Sequence, residues 1–288
     1  MNTKSFIATL LFICITFGAD AKKKKEYPHA EIMVGYNYHK KFLRGSDGIV
    51  ESDIPFILLA NSTGSKFYCP STEYKDSLKS TPSGRAKENE MFKAAVAAYT
   101  EKRDRSVMET VTYRTMLYVT KDIVNSTSTV YDQAGLINCG YYTEPFSELN
   151  WEINEDSTKN VLGYNCIKAN IDYHGRKWDV WFTPDIPIQE GPWKFCGLPG
   201  LILEASEPSG QHHFTVTGIE KSEKEITPVY SAQKYEKINR KDMLKERRNA
   251  LENGMSIFRA QTGYDLGVAD SPVTEDSRKY DFLETDYH

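Results

Sequence analysis

The chain has 288 residues, 40% of them hydrophobic, and 36 Lys and Arg against 40 Asp and Glu give it a formal net charge of -4. This length and apolar content support one large β domain with a sizeable core, and the mild acidity speaks against a nucleic-acid partner, whose binding would need a cationic surface. Beyond residue 21 no apolar stretch approaches the roughly 20 residues of a spanning helix, so no transmembrane helix is expected in the mature chain.

At the amino terminus, Lys4 precedes an unbroken apolar run from Phe6 to Phe17, followed by Gly18 and Ala19-Asp20-Ala21. The pattern predicts a secretory signal peptide over residues 1–21, cleaved after Ala21. The mature protein is therefore expected in the periplasm or cell envelope, or secreted. Cys14 follows bulky Phe12-Ile13, a poor setting for lipoprotein processing, and Lys22 to Lys25 read as a solvated basic run.

Alternation of apolar and polar residues then predicts strands at 31–38, 55–60, 127–131, 149–153 and 213–219. A longer strand with one wet face is predicted from Val107 through Val111, Tyr113 and Leu117 to Val119. The polar stretch from Lys75 to Arg85 reads as an exposed loop. Met91, Ala94, Ala95, Ala98 and Tyr99 recur at helical spacing and predict a helix over 87–102 packed on the sheet. A second, basic helix is predicted over 240–252, capped by Asn239 and stopped by Asn253-Gly254. The domain assigned to residues 22–267 is thus single and mainly antiparallel, and the acidic residues of 268–288 predict a disordered tail.

The clearest hairpin spans 161–183, with His174-Gly175 as a two-residue turn of positive φ. That turn sets Tyr173 opposite Arg176, Ile171 opposite Trp178, Ala169 opposite Val180 and Ile167 opposite Phe182. Asp172 meets Lys177 on the other face, where Lys168 stacks on Trp181 and Cys166 also lies.

The hairpin runs into a segment of prolines and glycines whose apolar residues are too many to hang in water. Trp181, Ile186, Pro187, Gly191, Pro192, Trp193 and Phe195 lead to the string Gly197-Leu198-Pro199-Gly200-Leu201-Ile202. Prolines without a donor and flexible glycines exclude a helix or central strand here, so an ordered loop packed on the sheet is expected. Two roles compete for it: a plug with Trp193 and Phe195 as core, or one wall of a cleft for an apolar ligand, lipid or peptide.

This string resembles the motif that names the GLPGLI family of exported Bacteroidota proteins. The resemblance extends through Trp151, Gly163-Tyr164-Asn165-Cys166, Gly175-Arg176 and Trp178, and covers roughly residues 30 to 220. It implies an exported location and brings no catalytic residue with it. The fold expected is mainly β with a few helices (α+β), a curved antiparallel sheet or half-barrel with a packed Pro/Gly-rich loop.

Without Cys14, the even set Cys69, Cys139, Cys166 and Cys196 predicts two disulfides in an oxidising compartment. Of the three pairings, Cys166–Cys196 with Cys69–Cys139 is preferred because it would pin the loop to the hairpin. No Cys-x-x-Cys, His-Glu-x-x-His, phosphate-loop or Gly-x-Ser-x-Gly string occurs, so no catalytic, cofactor or metal residue is assigned. Asp179, Asp185 and Glu190 are the carboxylates nearest the loop.

The reading is an exported envelope protein that binds an apolar or peptide ligand without catalysis. A structural partner of an outer-membrane protein complex, or a hydrolase using carboxylates or His174, are the alternatives. Amino-terminal sequencing of the protein recovered from the envelope is expected to begin at Lys22; recovery beginning at Met1 would contradict export.

Overall fold

In the computed structural model, the described residues are 26–43, 49–103, 106–146, 149–265, 270 and 282–288. The signal peptide expected over 1–21 lies outside them. Twelve strands form among the described residues. On the amino-terminal side they are β1 (Ile32–Leu43), β2 (Ile49–Ala60), β3 (Gly64–Tyr68), β4 (Tyr118–Asp122), β5 (Thr127–Gln133) and β6 (Cys139–Pro145). They continue as β7 (Glu152–Val161), β8 (Tyr164–Tyr173), β9 (Arg176–Thr183), β10 (Leu201–Ser206), β11 (His212–Lys221) and β12 (Tyr235–Lys237). The strands join in the order β12-β6-β5-β4-β3-β2-β1-β11-β10-β9-β8-β7. The sheet is open and antiparallel apart from the parallel pair β12–β6. The expected mainly β class therefore holds, and the sheet does not close into a barrel.

Strand alternation puts one apolar set on a common face. Tyr36, Phe56, Phe67, Trp178, Val180, Phe182 and Phe214 are buried there, with Phe56 stacked on Phe67 and Trp178 tilted against Phe214, and the motif loop adds Trp193, Phe195 and Leu198 to the same cluster. On the opposite face, the register aligns Tyr68, Tyr118, Tyr131 and Tyr141 in a row across β3 to β6. Helix α1 (Pro70–Lys79) reaches this row through Asp76, which accepts from the hydroxyls of Tyr113 and Tyr118 and pairs with Lys234.

The β8–β9 hairpin has the predicted register from Tyr173–Arg176 to Ile167–Phe182, and His174 and Gly175 take φ of 50° and 84°. The cation on Trp181 is Lys159 of β7, 4.6 Å from the ring centroid, rather than Lys168, which pairs with Asp179.

Three local expectations are corrected. Residues 107–117 are not a strand: α3 (Ser106–Glu109) and turns precede β4. The carbonyls of Thr112 and Thr115 accept from Lys75 and Thr72 of α1, so α1 takes acceptors that a strand partner would need. The stretch from Lys75 to Arg85 is likewise no loop, since it ends α1 and, after the Thr81 cap, begins α2 (Pro82–Lys102). Helix α2 packs on α1 and α3 rather than on the sheet. The second predicted helix is present as α4 (Arg240–Glu252), capped by Asn239, and α5 (Gly254–Thr262) follows it.

The disulfide pairings also fail, as none of the four cysteines is bonded to another. Cys166 lies beside Lys159 and Glu204 on the outer face, whereas Cys196 lies beside Lys121 and Glu190 on the core side, so the sheet separates them. Cys69 follows β3 and Cys139 opens β6, with β4 and β5 between. Three strand spacings amount to about 14 Å, twice the span of a disulfide.

Gly200 has φ of 155°, and a Cβ there would strike the Thr183 carbonyl oxygen. Gly200→Ala is expected to cost about 3 kcal/mol in urea unfolding, from strain and a displaced loop. A change below about 0.5 kcal/mol would show that the loop is not seated this closely.

Candidate functional site

The loop between β9 and β10 is positioned by a charge. Lys121 of β4 is buried, and its ammonium donates to Glu190 Oε2 at 2.7 Å and to the carbonyls of Gly191 and Phe195 at 3.1 and 2.8 Å. All three of its donors are thereby used. Within the loop, Gly191, Pro192, Trp193 and Phe195 are buried, Ile186 is half-buried and Pro187 is exposed. In the string that follows, Gly197 and Pro199 face out while Leu198, Gly200, Leu201 and Ile202 are buried. Trp181 stands apart on the outer face with Lys159.

The apolar motif residues therefore face packed side chains. Trp193 contacts Tyr173 and Trp178, and Phe195 contacts Trp151 and Trp178. Two surface pockets lie away from Trp193 and Phe195, though the second borders the start of the loop at Pro184 and Asp185. One, of about 310 Å³, sits between α1 and α2 beside Leu78, Met91 and Phe92, and the other, of about 540 Å³, beside Lys159, Cys166 and Pro184.

At Trp193 the backbone takes φ of 53°, and a tight turn closes with Phe195 N donating to the Pro192 carbonyl. This turn sends Lys194 inward, where its side chain has no solvent exposure. Around it gather groups from four other elements. Glu144 of β6 accepts from Lys194 at 2.5 Å and faces His174 Nε2 at 3.3 Å. Glu284 lies 2.8 Å from Lys194 and 2.6 Å from Arg240 of α4. Asp286 receives both terminal nitrogens of Arg240 at 2.6 Å and faces His174 Nδ1 at 3.2 Å. Tyr142 and Tyr173 donate to Glu284 and Glu144 at 2.7 and 3.0 Å.

Of the tail that composition assigns to 268–288, residues 268–269 and 271–281 lie outside the described residues, but 282–288 are packed: Glu284 and Tyr287 are buried. Their charges explain the order, because each carboxylate meets a cation already fixed by the fold.

The electrostatics favour the charged forms of the three carboxyl groups. Burial alone would raise the Glu144 carboxyl, but the hydrogen bond from His174 and the charge of Lys194 outweigh it and bring it down to about 2. Glu284 is held below its ordinary range in the same way, burial being outweighed by Lys194 and His174. For Asp286, burial is outweighed by Arg240.

This arrangement holds its three carboxylates as anions. His174, Glu284 and Asp286 bring potential ligand atoms within 4.8 Å of one another. Lys194 and Arg240 already neutralise those carboxylates and would repel a metal ion, so the donor set does not fit one. Burial pushes the Cys166 and Cys196 thiols up to about 11 and 12, which keeps them protonated and weakly nucleophilic. Asp179, Asp185 and Glu190 do not converge: Asp179 pairs with Lys168, Asp185 is exposed and Glu190 is locked to Lys121.

The cluster members Glu144, Lys194, Arg240, Glu284 and Asp286 were not among the residues expected from sequence. One signal was available, a lysine set between Trp193 and Phe195 in an apolar run, since a cation there needs a buried counter-charge.

Residues 174–204, from the turn histidine through the motif, match a family described as "Protein of unknown function (Porph_ging)". No curated protein matches the chain. Two crystal structures of PNGF-II, in space groups P21 and C2, are similar over 75% and 74% of this chain, at 12% and 14% identity and TM-scores of 0.41 and 0.44. The chain spans 30% and 32% of the length of those proteins.

Because Glu144 binds a proton more weakly folded than unfolded, its contribution to stability is full above its unfolded value of 4.5 and is lost as pH falls toward about 2. Urea midpoints measured from pH 7 downward are expected to drop across that window, with Glu284 adding to the loss. Lys194→Ala, which strips both carboxylates of a buried cation, is expected to cost about 3–5 kcal/mol at pH 7. A loss below about 1 kcal/mol would place the pair in solvent-like surroundings.

Proposed function

We propose that this is an exported envelope protein of the GLPGLI type that binds an acidic peptide segment and catalyses no reaction. One observation carries the reading: Lys194 and Arg240, with His174 beside them, form a cationic seat, and a peptide segment, 282–288, lies in it. Export is supported by the signal pattern of residues 1–21, and the family by the string Gly197 to Ile202 together with the match over 174–204.

The absence of a role in catalysis is supported by the carboxylate chemistry. Each acid in the cluster is tied to a cation, and Glu144, at about 2, is a weak base. A peptide ligand is favoured over a lipid because Trp193, Phe195 and Leu198 are closed into the core and offer no apolar wall.

Equilibrium dialysis of the purified chain against a mixed synthetic peptide library tests the reading. Peptides rich in Asp and Glu are expected to be enriched, all at their original length, and the enrichment to fall in high salt as the exposed part of the attraction is screened. Enrichment of neutral or basic peptides instead, or shortening of any peptide, would contradict it.

A further inference from the structure

Residues 282–288 make contacts of the kind a bound peptide makes, and they add no strand to the sheet. Glu284 accepts through one oxygen from Lys194 and Tyr142, at 2.8 and 2.7 Å, and through the other from Arg240 at 2.6 Å. Asp286 takes the guanidinium fork of Arg240 at 2.6 Å on both arms, the geometry that best recognises a carboxylate. Between them, Thr285 N donates to the His174 carbonyl at 2.8 Å and Thr285 Oγ1 to the Gly175 carbonyl at 3.0 Å, which fixes the direction of the segment. Two aromatic rings flank the carboxylates. The Phe282 ring lies under the guanidinium groups of Arg247 and Arg248, at 4.8 and 5.1 Å. The buried Tyr287 accepts at its hydroxyl from Arg248 at 3.1 Å.

The seat is also equipped to stand without this segment. Glu144 belongs to β6 and remains as the internal counter-charge of Lys194, His174 and Arg240 at 2.5, 3.3 and 3.9 Å. With 282–288 withdrawn, Lys194 and Arg240 face Glu144 alone, so the empty seat carries an excess positive charge and attracts another acidic segment.

We infer that residues 282–288 are a resident copy of the ligand, and that the seat recognises a protein segment with two carboxylates two residues apart, flanked by aromatic residues. The inference rests on the binding role proposed above and names the chemistry of the partner. A free segment competes with the resident one, which has the advantage of covalent attachment to the same chain.

The test uses the full chain carrying Glu284→Gln and Asp286→Asn, which loosens the resident segment and leaves the seat intact. A fluorescently labelled synthetic peptide of residues 282–288 is titrated in and followed by anisotropy. The variant is expected to bind it at least about tenfold more tightly than the unchanged chain, since its own segment no longer holds the seat with charged hydrogen bonds. The same peptide with Gln and Asn at those two positions, or a variant also carrying Arg240→Gln, should lose that affinity. A folded variant that binds the peptide no better than the unchanged chain overturns the inference. Should the variant fail to fold, hydrogen exchange on the unchanged chain decides: millimolar peptide is expected to speed exchange at the Thr285 amide, and an unaltered rate overturns the inference. If the variant takes its own segment but no acidic peptide of unrelated sequence, the seat stands as inferred and the wider binding role falls. Association of the variant with the unchanged chain, lost when 282–288 is deleted from the unchanged chain, would identify a second copy as the source of the segment; binding of acidic peptides without such association points to another protein.

Discussion

A lysine ammonium without solvent exposure is the constraint around which one side of this molecule is arranged. Removing such a group from water costs several kcal/mol unless anions and acceptors replace the lost hydration. Lys194 meets that demand with Glu144 and Glu284, and those acids in turn require Arg240, His174 and two tyrosine hydroxyls. Meeting one demand thus draws β6, the tip of the β8–β9 hairpin, α4 and residues 282–288 into a single cluster.

A second buried lysine does comparable work along the same loop. Lys121 binds Glu190 and the carbonyls of Gly191 and Phe195, so the loop is held by charge on both sides of the turn at Trp193. Between these two anchors the aromatic residues are pressed onto Trp178 and Tyr173. Apolar packing supplies the bulk of the stabilisation, and the two lysines fix which way the loop lies. The order of 282–288 follows from the same electrostatics, because acids that would repel one another in isolation meet cations already set in place.

The sheet was readable wherever local pattern and tertiary environment agreed. Ile167, Ala169 and Ile171 alternate against Trp178, Val180 and Phe182, and with a two-residue turn between them only one register buries all six. Residues 107–117 carry a similar alternation and still form no strand there, since Thr72 and Lys75 of α1 take carbonyls of that stretch. Helix α1 itself had readable cues in Pro70 at its first turn and Glu73 behind it, outweighed by the polarity of the stretch that follows. The even cysteine count suggested bridges, but count carries no information about which face of a sheet a side chain occupies. The ionic cluster was largely illegible, because its members lie between positions 142 and 286 and most resemble ordinary surface residues. Only the fold reveals that they meet.

Chain order gives the cluster a further meaning. Glu284 and Asp286 follow every strand and helix described, yet they bond to partners as far back as Tyr142, 142 positions earlier. A domain emerging amino end first therefore assembles its sheet and seats Lys194 with Glu144 before those two acids arrive. Closing so long a loop is among the entropically costly steps of folding and tends to come late. The cluster thus closes last, and a chain interrupted before residue 282 keeps Lys194 and Arg240 short of two of their anions and is the less stable for it.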